Sequence, residues 1–182
     1  MLYKLHSCVD QTTFSAIRNM YDSMTSCVSN QGLTSNCFPI LQGTRQGGKS
    51  SPYIYLVYID GLIKELEKSG HGLSLYCLNM SCPTVADDMV LISLSRNGLQ
   101  QMLNLCHVYA CKWRFEYNPL KCGVIVFNEM STKQVDFSQW NIGSAQICEV
   151  DDYTYLGITC NKFMDNSMCI QEAAERLTNQ YF

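Results

Sequence analysis

Two adjacent aspartates, Asp87 and Asp88, lie between apolar stretches, with Thr84-Val85 before them and Met89-Val90-Leu91-Ile92 after. Neighbouring carboxylates repel, and each is costly near a core. A chain that carries such a pair between apolar arms has to deliver it to a turn. Residues 73–94 are therefore expected to form a β-hairpin with the pair at its tip. Pro83 cannot donate to a strand ladder, so the arm before the turn should be short. One reading of the pair is an exposed acidic turn, since Asp favours turns for its own reasons. The other is a cation site. Mg²⁺ takes one or two carboxylates plus phosphate oxygens and water, and paired Mg²⁺ ions stabilise the attacking and leaving oxygens of an in-line phosphoryl transfer.

Around this hairpin the pattern alternates between helix and strand. Phe14, Ile17, Tyr21, Met24 and Val28 recur at helical spacing, which predicts a helix over 10–29 capped by Asp10 or Thr12 and broken by Asn30-Gln31-Gly32. Residues 33–41 suit an extended segment, and 42–51 a polar Gly- and Ser-rich loop. Pro52 fits the first turn of a second helix with the stripe Ile54, Val57, Tyr58, Leu62, Ile63 and Leu66, ended by Gly70 and Gly72. Leu99, Met102, Leu103, Cys106, Ala110 and Trp113 mark a third helix over about 97–115, stopped by Asn118-Pro119. Gly123 to Phe127 reads as a strand, 130–146 as an irregular excursion, 147–160 as a final hairpin and 168–181 as the start of a helix. The fold class is α+β: an antiparallel sheet with packed helices.

With 182 residues, 47% of them hydrophobic, the chain is long and apolar enough for a real core. Its net charge of −3 weighs against strong autonomous binding of nucleic acid, which leaves a basic footprint. Eleven cysteines are scattered with no CxxC pair. Cys77/Cys82 and Cys106/Cys111 are the closest pairs, with His107 beside one, and a zinc site usually wants tighter paired ligands. Reduced, mostly buried thiols are the expectation. Lys4, His6 and Asp10 interrupt any secretory apolar region, and no apolar run is long enough to cross a bilayer. An intracellular, reducing location follows, with nucleus and cytoplasm both compatible.

Four blocks carry chemistry in a fixed order. The first is Gly43-x-Arg45-Gln46-Gly47-x-x-x-Ser51-Pro52, followed by Tyr58-Ile59-Asp60-Gly61-Leu62. Its bland reading is a capped helix start behind a glycine loop. The same physics also suits a nucleotide, because glycines let a backbone come close and a helix start favours anions. The others are Val85-Ala86-Asp87-Asp88, then Asn118-Pro119-Leu120-Lys121 and Tyr155-Leu156-Gly157-Ile158. Lys121 alone reads as a surface lysine, and the last block as a core strand ending at a glycine.

Together, over residues 1–160, these blocks resemble the palm of a reverse transcriptase, an RNA-directed DNA polymerase, of the non-LTR (LINE-like) retrotransposon type. The resemblance implies a nucleotidyltransferase that adds dNTPs to a DNA primer 3′ end on an RNA template with Mg²⁺, or Mn²⁺ in its place. It implies that Asp87 binds metal directly and that Asp88 sits beside the metals and the primer end. Arg45, Gln46, Gly47 and Ser51 would shape the nucleotide and template site. Val85 stands where the family has an aromatic residue. Lys121 would serve the pyrophosphate leaving group, and Tyr155, Leu156 and Gly157 would form the primer grip. Residues 161–182 would begin a thumb or connection helix.

The family also uses a metal-binding Asp on a strand before the first long helix. Asp10 and Asp22 belong to the predicted helix instead, so the palm is expected to be incomplete and the isolated chain inactive. Losing one ligand of a paired-metal site costs on the order of a thousandfold in rate. The alternative is a non-catalytic interaction or structural protein that reuses a palm scaffold.

Overall fold

The computed structural model describes residues 2–41, 43–45, 47–127, 139–163 and 170. The chain divides into two compact units, Met1–Lys64 and Glu65–Phe182. Its elements are mixed helices and small sheets, in keeping with the α+β class.

In the first unit, helix α1 (Leu2–His6) precedes α2 (Gln11–Tyr21). Asp10 caps α2 as expected, accepting from the Thr12 and Thr13 backbone N–H groups at 2.9 and 3.0 Å. The helix ends at Tyr21, not near residue 29. Ser23 takes φ +55° and Thr25-Ser26 already pairs as a strand, so the β-favouring run Thr25 to Val28 overrides the helical spacing of Met24 and Val28. One irregular hairpin follows. Strands β1 (Thr25–Ser26) and β4 (Phe38–Pro39) pair near its base, and β2 (Ser29–Asn30) and β3 (Leu33–Thr34) at its tip, around a turn in which Gln31 and Gly32 both have positive φ. The predicted extended segment over 33–41 is its returning arm.

Helix α3 (Ser51–Lys68) runs from the first unit into the second. Ile54, Ile59, Leu62 and Leu66 are its buried residues, while Val57, Tyr58 and Ile63 from the predicted stripe are half-buried. The Lys4 ammonium donates to the Tyr58 carbonyl at 2.6 Å, tying α1 to α3.

The second unit is organised on α4 (Arg96–Trp113), capped by Ser95, whose hydroxyl accepts from the Gly98 N–H at 3.0 Å. Met102, Leu103, Cys106, Tyr109 and Ala110 form its buried face. The helix stops at Trp113, with Arg114 in the left-handed region (φ 58°), ahead of the predicted stop at Asn118-Pro119. Hairpin β10 (Trp140–Ile142)/β11 (Ala145–Glu149) lies on this helix. The Gln100 side-chain amide donates to the Asn141 carbonyl at 2.8 Å and accepts from the Asn141 N–H at 3.1 Å, so one side chain pairs with the strand as a neighbouring strand would. At the turn, Gly143 has φ +62°, and a Cβ there would overlap the His107 ring.

Two hairpins, β5 (Ser74–Leu75)/β6 (Leu78–Asn79) and β7 (Thr84–Val85)/β8 (Asp88–Met89), fill the predicted 73–94 segment. Backbone bonds from Ile92 to Ser81 and from Leu73 to Ile92, both 2.9 Å, join them at their bases. Strand β9 (Gly123–Val124) is shorter than the predicted 123–127 strand and runs parallel to β11. The last hairpin is β12 (Asp152–Tyr155)/β13 (Ile158–Asn161), while residues 147–149 belong to β11. Among the described residues the strands form separate small sheets, not one antiparallel sheet. The predicted helix over 168–181, most of the 130–146 excursion and Cys169 lie outside the described residues.

The thiols are not mostly buried. Of the described cysteines Cys82 and Cys106 are buried and Cys122 is half-buried, with the rest exposed. Cys106 lies on the buried face of α4, whereas Cys111 is on the exposed side of the same helix and the other exposed thiols lie in turns and strands. Among the described residues no helix is long and apolar enough to cross a membrane.

Candidate functional site

The acidic pair stands where its chemistry demanded. Val85 pairs with Asp88 across a two-residue turn made of Ala86 and Asp87. Val85, Ala86, Asp87 and Asp88 are all exposed. Ala86 adopts φ +53°, a backbone conformation that costs a non-glycine residue about 1–2 kcal/mol. Neither carboxylate has a hydrogen bond or ion pair among the described residues, so both are open to an outside ligand. As hard oxygen donors they fit a divalent cation such as Mg²⁺. Among the described residues no group of three His, Cys, Asp or Glu side chains converges, so the pair stands as two donors. The same finding leaves the Cys106, His107 and Cys111 neighbourhood without a metal-ligand set, although the Cys111 thiol lies 3.6 Å from His107 Nε2.

Tyr155 is the last residue of β12, opposite Ile158 at a turn in which Leu156 and Gly157 have φ +50° and +78°. Leu156 and Gly157 form an exposed tip and not a core strand. Tyr155 Oη is shielded from solvent and has no hydrogen-bond partner among the described residues. Its acidity is suppressed first by burial and then by the negative charge of Asp88. Below the hairpin, burial raises the Cys82 thiol, helped by Glu67 and opposed by its hydrogen bond with Thr84. Burial pushes the Cys106 thiol up to about 12, although a hydrogen bond with Tyr117 opposes it. Such thiols stay protonated and behave as small apolar groups.

Lys121 ends a short 3-10 turn, Pro119–Lys121, opened by Asn118, whose Oδ1 accepts from the Leu120 N–H at 3.1 Å. Its side chain is exposed and without a partner among the described residues. Its carbonyl accepts from the Tyr153 hydroxyl at 2.6 Å, so the lysine turn and the β12–β13 hairpin share one framework. Tyr153 was not visible as a site residue in the sequence, where only its alternation with Tyr155 sets it apart.

In the first unit, the glycine loop is closed from within. The Ser51 hydroxyl donates to the Arg45 carbonyl at 2.5 Å, the Gly48 N–H donates to the same carbonyl at 3.2 Å, and the Ser51 N–H returns to Gly48 at 3.0 Å. Ser51 is only 8% exposed, so it braces the loop from below. Gly47 has φ +76° and lies open. Arg45 and Gly47 to Ser50 line a groove of about 530 Å³ with Ile17, Met20 and Tyr21 of α2. Gln46 lies outside the described residues.

Comparison with known proteins gives the family of the chain. Residues 2–160 match the family described as "Reverse transcriptase (RNA-dependent DNA polymerase)". The chain is 25% identical over 129 residues to the "Retrovirus-related Pol polyprotein from type-1 retrotransposable element R2" of Nasonia vitripennis, covering 67% of this chain and 12% of that protein. It is 24% identical over 148 residues to the "Retrovirus-related Pol polyprotein from type-2 retrotransposable element R2DM" of Drosophila melanogaster, covering 78% of this chain and 14% of that protein. It is 23% identical over 173 residues to the "RNA-directed DNA polymerase from mobile element jockey" of the same fly, covering 89% of this chain and 18% of that protein. The chain thus spans less than a fifth of the length of these relatives. A match over nearly the whole described chain shows that it belongs to the reverse transcriptase (RNA-dependent DNA polymerase) family, with relatives among the non-LTR retrotransposons.

Proposed function

We propose that this chain is palm sequence of an RNA-directed DNA polymerase of the non-LTR retrotransposon type, with residues 1–160 forming the palm part and 161–182 leading into a thumb or connection. The reaction is addition of dNTPs to a DNA primer 3′ end on an RNA template. The observation that carries the reading is that Asp87 lies in an exposed two-residue turn and Asp88, also exposed, opens the strand that follows it, inside the family match. A bound pair of Mg²⁺ ions would supply Lewis-acid stabilisation to the attacking and leaving oxygens. Asp87 and Asp88 hold that charge in place. Arg45, Gln46 and Gly47 shape the nucleotide and template side, with Ser51 holding the loop and Val85 flanking the acidic turn. Lys121 neutralises or protonates the departing pyrophosphate. Tyr155, Leu156 and Gly157 seat the primer end.

The 182 residues assayed by themselves are expected to show no primer extension, because two carboxylates fall short of a paired-metal donor set and the loss is on the order of a thousandfold. Primer extension on an RNA template with Mg²⁺, run beside a thermal melt, tests both halves of the proposal. A Mg²⁺-dependent rise in melting temperature that disappears in Asp87→Ala, without extension, supports the reading. Robust synthesis lost in Asp87→Ala would keep the polymerase and overturn the inactivity. No metal effect of any kind would favour the non-catalytic scaffold.

A further inference from the structure

Two of the exposed thiols stand opposite each other on one hairpin of the first unit. Strands β1 and β4 pair in the register Thr25↔Pro39 and Ser26↔Phe38, and the next residue along each arm is a cysteine, Cys27 on one and Cys37 on the other. Just beyond them the arms are joined again. The Val28 N–H donates to the Ser35 hydroxyl at 3.0 Å, and the Ser35 N–H donates to the Val28 carbonyl at 2.9 Å. The two cysteines are therefore held between paired residues on both sides. Between Ser26↔Phe38 and Ser29↔Thr34 the outgoing arm has two residues and the returning arm three, so Asn36 is the extra residue of a β-bulge.

The hydrogen-bond phase of the ladder fixes which kind of pair they make. The Ile40 N–H donates to the Met24 carbonyl at 2.8 Å, so Met24 and Ile40 form a hydrogen-bonded pair. Alternation then makes Thr25/Pro39 a non-hydrogen-bonded pair, where a proline, lacking an N–H, loses no ladder bond. The same alternation makes Cys27/Cys37 a non-hydrogen-bonded pair. At such a pair the Cα atoms stand about 4.5 Å apart with both side chains on one face. That lies within the span of about 4.4–6.8 Å that a disulfide bridges. Both thiols are free and exposed. The cysteines on the other strands have no such partner, since Cys160 stands opposite Tyr153 and Cys148 opposite Gly123.

We propose that Cys27 and Cys37 form a reversible thiol–disulfide site whose co-reactant is a small-molecule disulfide. One cysteine thiolate attacks a sulfur of that disulfide, forming a mixed disulfide and expelling a small thiolate, which takes up the proton the cysteine lost. The second cysteine thiolate attacks the cysteine sulfur of the mixed disulfide, forms the Sγ–Sγ bond and expels the second small thiol. Two protein thiols are oxidised, and one disulfide is reduced to two thiols. An exposed bond is open to the reverse attack by an excess of small thiol, which makes the site reversible. The closed bond cross-links the two arms of the hairpin between α2 and the glycine loop. The site is independent of the metal reading of Asp87 and Asp88.

The test treats the reduced 182-residue chain with oxidised glutathione, alkylates the remaining thiols, digests with trypsin and weighs the peptides by mass spectrometry. No Lys or Arg lies between Arg18 and Arg45, so both cysteines fall in one peptide, residues 19–45, which holds no other cysteine. That peptide should appear two hydrogens lighter, unalkylated and without glutathione, and an excess of reduced glutathione should return it to the dithiol. In Cys27→Ser, Cys37 should instead carry a glutathione adduct, and Cys37→Ser should leave one on Cys27. In concentrated urea the segment between them is flexible, so the ratio of internal disulfide to glutathione adduct in this peptide should fall about tenfold from its value in the folded chain. Glutathione adducts on both cysteines of the folded chain, a bond from either to another cysteine, or a ratio unchanged by urea would overturn the assignment.

Discussion

Hairpins β10–β11 and β7–β8 have turns of the same length, and in both the first turn residue has positive φ, +62° at Gly143 and +53° at Ala86. They are held in opposite ways. The first lies on a helix: His107 fills the space where Gly143 lacks a Cβ, Gln100 pairs with the Asn141 backbone, and Trp140 is buried with its Nε1 donating to Glu149 at 3.0 Å. The second projects Ala86, Asp87 and Asp88 into solvent, with a non-glycine residue in the strained position. One turn is built for stability and uses the residue its backbone prefers. The other tolerates strain and unpaired charge, which is the pattern of a segment kept for what it presents.

The comparison can be broken at several points. Trp140→Ala removes the aromatic core of the supported hairpin and should cost about 3–5 kcal/mol of unfolding free energy in a urea titration. A loss under ~1 kcal/mol would mean that this hairpin is no platform. Gly143→Ala should cost about 1–3 kcal/mol, since it adds both backbone strain and overlap with His107. The counterpart change at the exposed turn, Ala86→Gly, should move stability the other way, by up to about 1 kcal/mol, and leave Asp87-dependent metal binding in place. Equal destabilisation at the two turns would erase the distinction drawn between them.

Smaller effects sharpen it. Arg96 lies over the Trp140 ring at 5.4 Å and 3.5 Å from Glu149, so Arg96→Ala should cost about 0.5–1 kcal/mol, less at high salt. In the first unit, the Thr13 hydroxyl and the helix N–H groups hold the Asp10 carboxyl below its usual range. A lowered folded-state value means that the contribution is complete above the ordinary carboxylate range and fades as pH falls through the folded value. Far-ultraviolet circular dichroism between about pH 5 and pH 2 should show α2 weakening on acidification. Asp10→Asn, which caps without a charge, should flatten that response.

The sequence was most legible where one residue type answers one local need. Asp10 and Ser95 cap helices, Gly70 follows α3, and the Asp87-Asp88 pair reaches a turn because it tolerates little else. The apolar stripe of α4 locates its buried face at Met102, Leu103, Cys106 and Ala110. Legibility failed where distant partners decide. Met24 and Val28 keep helical spacing, yet their segment pairs with residues 35–40 in a hairpin. The parallel pairing of β9 with β11 joins strands more than twenty residues apart, and no local signal announces it. The same holds for the site. Asp87, Asp88, Lys121 and the glycine loop could be proposed as site residues from order and residue type. The bracing role of Ser51, the Tyr153 anchor under Lys121 and the unmet hydroxyl of Tyr155 emerge only from the folded backbone.

The most direct test of the central claim is a calorimetric titration of the chain with Mg²⁺ and Mn²⁺, beside Asp87→Ala. The account predicts saturable binding in the parent chain that is lost in the variant, with the metal-free melting temperature of the variant equal to or above that of the parent. Binding that survives Asp87→Ala, or no binding in a folded parent chain, would contradict it.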